Sequence, residues 1–161
     1  MAASIELTEN QKALMRLMTV FYVIERAHDL ELQKVGLSLP QASVLYLLKT
    51  AKEPLTPMKL ARMMHKQPHT VSALVHRMEA QGLVSTKRDM KRKNWLRVSL
   101  TKKGEEAVER WSGTNIVADT FSCLSKKESE ALYKTTQRLH VEGLKVLRQL
   151  QPDPYAEPLF W

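Results

Sequence analysis

The chain is short of glycine, of cysteine and of long apolar runs, and each shortage removes a class of answer. Five glycines in 161 residues leave no glycine-rich loop to cradle a phosphate. The stretches between them are long and helix-forming, which points to a mostly helical fold. A single cysteine, Cys123, excludes an internal disulfide framework and fits a reducing compartment. No apolar run approaches the roughly 18 residues of a membrane span. Met1 to Asn10 lacks the basic and apolar segments of a signal peptide, so a cytoplasmic location without a membrane partner is expected. Paired-carboxylate geometry, Cys-x-x-Cys and a nucleophile elbow are missing too. That argues against an enzyme, and no cofactor is expected.

What is present is a core and an uneven charge. Hydrophobic residues make up 43% of the chain, too many for a disordered protein and enough for one domain or two small, closely packed ones. The formal net charge is +8. Between Thr56 and Gly104, twelve Lys/Arg stand against only Glu79 and Asp89, whereas the rest of the chain holds 13 basic and 15 acidic residues. The positive charge is therefore gathered into under a third of the sequence, as a patch that meets nucleic-acid phosphates would be.

Local signals divide the chain into helices and one hairpin. Thr8-x-x-Gln11 is a capping box for a long helix to Val35, with Leu14, Leu17, Met18 and Phe21 on one side and Gly36 as its stop. Ser38-x-x-Gln41, with Pro40 in the first turn, opens a second helix whose Val44, Leu45, Leu47 and Leu48 face inward. Thr56-Pro57 starts a third helix to Met64, and Gln67-Pro68 opens a fourth. In that fourth helix Val71, Leu74, Val75 and Met78 follow helical spacing and face the core. His69, Thr70, Ser72, Ala73, His76 and Arg77 are left outside. Gly82 ends it. Leu83–Arg88 and Trp95–Leu100 read as two strands joined by a basic connector. A fifth helix is expected from Thr101 to about Leu124, and Ser125-x-x-Glu128 opens a sixth to about Leu150. Along the sixth, Leu132, Thr136, Leu139, Gly143, Val146 and Leu150 form a seam with coiled-coil spacing. The terminal helices are more apolar than one subunit can cover, so dimerisation is expected. The tail, Gln151 to Trp161, carries three prolines with Tyr155, Phe160 and Trp161, and is expected to be pinned across the dimer.

Two short helices joined by a tight turn, the second polar-faced, form a helix-turn-helix, and a basic hairpin follows it at once. The segments Leu37-Ser38-Leu39-Pro40-Gln41, Leu55-Thr56-Pro57-Met58-Lys59-Leu60-Ala61, Thr70 through Val84, and Val98-Ser99-Leu100-Thr101-Lys102-Lys103-Gly104 resemble the MarR family of winged helix-turn-helix transcription regulators. The expected organisation is an N-terminal dimerisation helix over 1–36, a DNA-binding domain over 37–104, and C-terminal dimerisation helices with the tail over 105–161. The resemblance implies a homodimer built from the first, fifth and sixth helices. It also implies that the fourth helix enters a major groove and the wing the adjacent minor groove. A small, often aromatic or phenolic effector would sit between the dimer helices and the winged domain, where Arg26, His28 and Trp111 are the candidates. Two departures stand out. The family's wing usually carries Asp-Arg-Arg where this chain has Arg92, Lys93 and Asn94, so the acid that braces the first arginine is lost. Many members have an arginine where this chain has Ala73, which removes a bidentate guanine contact.

Base reading then falls to Gln67, which can pair with adenine, and to His69, Thr70, Ser72 or His76, through base edges or phosphates. Arg77 either binds phosphate or braces the wing. Lys87, Arg88, Lys91, Arg92, Lys93 and Arg97 are candidate backbone contacts, with Lys93 entering the minor groove. His69 and His76 lie about 10 Å apart along one helix, too far to share an ion, and His65 faces elsewhere, so no metal site is expected. His28 and His140 read as core or interface residues, and Cys123 as a buried, inert thiol between Phe121 and Leu124. The function expected is a dimeric regulator, a repressor, of a pseudo-palindromic double-stranded DNA operator. Two other readings stay open: a nonspecific or architectural DNA binder, and a protein-interaction adaptor on the same scaffold.

Overall fold

A computed structural model describes residues 6–89, 95–112 and 116–150. In chain order it contains α1 (Glu9–Lys34), α2 (Leu39–Thr50), α3 (Pro57–Met63), α4 (Pro68–Ala80), β1 (Val84–Asp89), β2 (Trp95–Leu100), α5 (Lys102–Ser112), α6 (Ile116–Phe121) and α7 (Lys126–Leu150). The expectations for Lys91, Arg92 and Lys93 and for the tail 151–161 lie outside the described residues. None of the described helices is long and apolar enough to cross a membrane.

Helix starts follow the capping chemistry. Gln11 Oε1 accepts from the Thr8 N–H at 2.8 Å while Thr8 Oγ1 accepts from the Gln11 N–H at 3.3 Å, closing the box at the head of α1. Gln41 does the same for the Ser38 N–H at 2.9 Å, and Glu128 for the Ser125 N–H at 2.8 Å. Each box satisfies backbone donors that a helix start leaves without partners. Gly36 and Gly82, both at φ +72°, turn the chain out of α1 and α4, a left-handed conformation that glycine adopts without a Cβ penalty.

Of the helix expected from Thr101 to about Leu124, the described residues form α5 and α6, the latter ending at Phe121, and residues 113–115 between them lie outside the described residues. Cys123 is exposed rather than buried, and its Sγ donates to Thr120 O at 3.5 Å. The apolar neighbour that suggested burial, Phe121, is itself 40% exposed.

The core is assembled from α2, α3, α4 and the hairpin, with contributions from both flanking helices. Leu45, Leu60, Met78 and Val98 are fully buried, and so are Leu32 near the end of α1 and Ala107 in α5. The predicted inner face of α4 is confirmed: Val71, Leu74, Val75 and Met78 are all buried. Each stabilises the domain by roughly 1.5–3 kcal/mol relative to exposure. β1 and β2 pair antiparallel from Val84↔Leu100 to Asp89↔Trp95. Val98 N–H donates to Leu55 O at 2.7 Å, adding the segment before α3 to the hairpin's edge.

Candidate nucleic-acid interface

The turn that leaves α4 is built by the Leu-Thr-Lys-Lys-Gly segment after β2. Thr101 Oγ1 donates to Gly82 O at 2.6 Å and accepts from the Gly104 N–H at 3.1 Å, so one hydroxyl caps α5 and holds the exit of α4. Lys103 Nζ donates to Gln81 O at 2.8 Å, placing a cation at the negative end of the α4 dipole. Gly104 sits so close to the same turn that a Cβ there would run into the carbonyl oxygen of Leu83. Gln41 Nε2 donates to Gln81 Oε1 at 2.7 Å and fixes α2 to the same corner. The orientation of α4 is therefore set from α2 and from the start of α5.

A carboxylate joins α4 to the wing. Glu79 Oε1 accepts both the backbone N–H and the Oγ1 hydroxyl of Thr86, each at 2.7 Å. These two Thr86 donors, with the nearby charge of His76 adding to them, hold the Glu79 carboxyl below the usual carboxylate range. Glu79 drew notice in the sequence only as one of two acids in a basic region. Its spacing of seven from Thr86 across the Gly82 turn was the available signal. Among the described residues, Glu79 bonds helix to hairpin.

The outer face of α4 stands free of this framework. Gln67 is the N-cap residue but its side chain makes no capping bond, and Pro68 follows at the first helical position. Gln67, His69, Thr70, Ser72, Ala73, His76 and Arg77 are all exposed. With helical spacing, His69, Ser72, Ala73 and His76 share one stripe, and Thr70, Ala73 and Arg77 the next. The wing residues divide between two faces. Lys87 is opposite Arg97 and Arg88 opposite Leu96, and strand alternation puts the two pairs on opposite sides of the hairpin. Lys87 and Arg88 are exposed, whereas Arg97 is half-buried and its Nη1 donates to Pro54 O at 3.4 Å. Arg97 thus ties the wing to the loop before α3, a role its sequence position did not reveal.

A cleft of about 1170 Å³ lies between α1, α2, the α3–α4 turn and α5. Arg26, His28 and Trp111 all line it, with Tyr22, Tyr46 and Met64. Trp111 Nε1 donates to His28 Nε2 at 3.1 Å, and Tyr46 meets the Trp111 ring edge-on at 6.3 Å. Arg26 pairs with Asp29 at 3.2 Å. Tyr46 and Met64 come from elements distant in sequence from α1, so no local pattern could have pointed to them. Among the described residues no three His, Cys, Asp or Glu gather as a metal-binding group.

A two-helix reader locked to a hairpin matches a family model described as MarR family over residues 35–93. An HTH-type transcriptional regulator of Bacillus cereus is 30% identical over 117 residues, covering 71% of this chain and 77% of that protein. The chain belongs to the MarR family. Among solved structures, the organohalide-sensing RdhR-CbdbA1625 transcriptional regulator in its ligand-free form superposes with a TM-score of 0.81 at 26% identity, over 96% of this chain and 89% of that one. Its 2,4-dichlorophenol-bound form gives 0.79, also at 26% identity, over 96% and 92%. The protein is thus a MarR-family, DNA-binding winged-helix transcription regulator, and the family and its structural neighbours are regulators rather than enzymes.

Proposed function

We propose that this MarR regulator works in the cytoplasm as a homodimeric repressor of a pseudo-palindromic operator. Two α4 helices related by a twofold axis read half-sites about one helical turn apart, and the wings lie along the adjacent minor grooves. Gln67, His69, Thr70, Ser72 and His76 meet base edges or phosphates, with Ala73 making apolar contact. Arg77, Lys87, Arg88, Lys91, Arg92 and Lys93 neutralise backbone charge, and Arg97 aims the wing. The observation that carries this reading is the Glu79–Thr86 clamp. It makes a polar helix face and a basic hairpin one rigid unit, which a nonspecific binder or an adaptor does not need.

The cleft is read as the effector site for a small aromatic molecule, stacked against His28, Trp111 and Tyr46 and oriented by Arg26. Its position between α1 and the α3–α4 turn supports this, since a ligand there would bear on both a terminal helix and the reader. A relative with a 2,4-dichlorophenol-bound form supports the chemical class. A coupling of about 1–3 kcal/mol between cleft and reader suffices to release an operator.

The test is a gel-shift on the DNA upstream of the protein's own gene across a salt series. Replacing Lys91, Arg92 and Lys93 together by Ala should abolish operator binding at moderate salt. At low salt it should flatten the salt slope by about 0.9 per lost phosphate contact. Equal affinity for operator and random DNA at fixed salt would favour an architectural binder. DNA binding untouched by the triple substitution would favour the adaptor.

A further inference from the structure

The turn between α3 and α4 ends its helix in an unusual way. Lys66 N–H donates to Ala61 O at 3.0 Å and His65 N–H to Arg62 O at 3.1 Å, the paired bonds of a Schellman stop. The left-handed residue in that motif is ordinarily glycine, as Gly36 and Gly82 are in this chain. Here it is His65, at φ +50°. Histidine tolerates this region better than most residues but still carries a Cβ into it. The backbone thereby holds an imidazole at the foot of the reading helix, pointed at α7. The His65 and His140 rings meet there, with centroids 5.6 Å apart and planes at 85°.

We infer that His65 and His140 form a two-histidine site for a divalent transition-metal ion of the zinc class, tying the turn before α4 to α7. Two imidazoles sharing a tetrahedral ion through bonds of about 2.1 Å place their ring centres about 5.2 Å apart. The observed separation is within a few tenths of an ångström of that. Imidazole nitrogen suits zinc, copper and nickel over magnesium or calcium. His65 is exposed at the surface, so an ion reaches it from solvent and water fills the remaining positions. With two protein ligands rather than the four of a structural zinc site, the ion exchanges readily, as a reversible tie requires. The sequence hid the pair because 75 residues separate its members.

The test uses the untagged full chain, stripped with a chelator and titrated calorimetrically with zinc ion at neutral pH. One ion per chain is expected, and with cupric ion as probe the electron paramagnetic spectrum should show coupling to two nitrogens. His65→Gly, which relieves the left-handed backbone and so protects folding, and His140→Gln should each weaken binding by more than the roughly tenfold that losing an outer-shell partner costs. A His69→Ala/His76→Ala variant should bind as the parent does. The proposal is overturned if the parent takes up no zinc, if either ligand variant binds as tightly, or if the control variant loses the ion. None of these readouts involves DNA, so they stand apart from the operator test.

Discussion

The reader and the terminal helices solve opposite problems. From Leu37 to Val98 the chain closes a dry core, with Val44, Leu45, Leu60, Met78 and Val98 fully covered by their own subunit. Along α1 and α7 the same chemistry is left open. Leu14 is 56% exposed, Phe21 59% and Val23 64%, while on α7 Leu139 and Val146 are each 53% exposed. The coiled-coil seam expected on the last helix exists in spacing, yet none of its members is buried in the single chain. A soluble protein does not ordinarily present apolar surface on this scale without a partner for it. The reader is finished within one subunit, and the helices are not.

The comparison breaks most visibly if α1 is made polar. Leu17→Glu with Phe21→Glu should leave the reader folded, because neither residue belongs to its core, but should give a monomer in sedimentation. Losing the linked second reader should lower operator affinity by about 10²–10⁴-fold. A variant that stays dimeric, or a parent chain that is monomeric, would remove the reason for the open faces.

A smaller effect sharpens the other side. Gly104→Ala would push a methyl group into the Leu83 carbonyl, whereas at Gly36 a Cβ meets nothing within 4 Å and only the φ of +72° is strained. In urea unfolding, Gly104→Ala should cost about 3 kcal/mol or more, and Gly36→Ala about 1–2 kcal/mol. Equal costs would mean that the corner between α4 and α5 gives way more easily than its hydrogen bonds imply.

How legible this was depended on the reach of each cause. Caps act over three residues, so Thr8, Ser38, Thr56 and Ser125 announced their helices. The inner face of α4 was legible because its four apolar residues repeat at helical spacing. One local signal misleads: Cys123 beside Phe121 reads as a buried thiol, yet Phe121 is itself 40% exposed. The remaining features were made by tertiary structure. Arg97 against Pro54, Tyr46 against Trp111, and His65 against His140 join residues 43, 65 and 75 positions apart, and no periodicity spans such gaps. In the reader, the element list was in the sequence, while the bonds that aim it were not.

Those bonds offer the finest test, at Glu79. Its carboxyl is held below the usual carboxylate range by the Thr86 hydroxyl and N–H, so its charged form is favoured in the folded protein relative to the unfolded one. A carboxylate with a depressed folded pKa contributes stability that is present above the unfolded pKa and lost as pH falls through the folded one. Glu79→Gln keeps an oxygen acceptor in place and removes only the charge, which is the stronger half of a charge-assisted bond. At neutral pH the variant should therefore melt about 1–3 °C lower. The gap should close as pH drops below 4.5, the ordinary value for this group, because the parent's own Glu79 then becomes neutral. Glu79→Ala removes the acceptor as well and should keep its deficit at every pH, with weaker operator binding at neutral pH because the wing is no longer aimed. A Glu79→Gln gap that persisted unchanged at low pH would mean that the clamp works by shape alone, and that the charge on this carboxylate plays no part in holding helix and wing together.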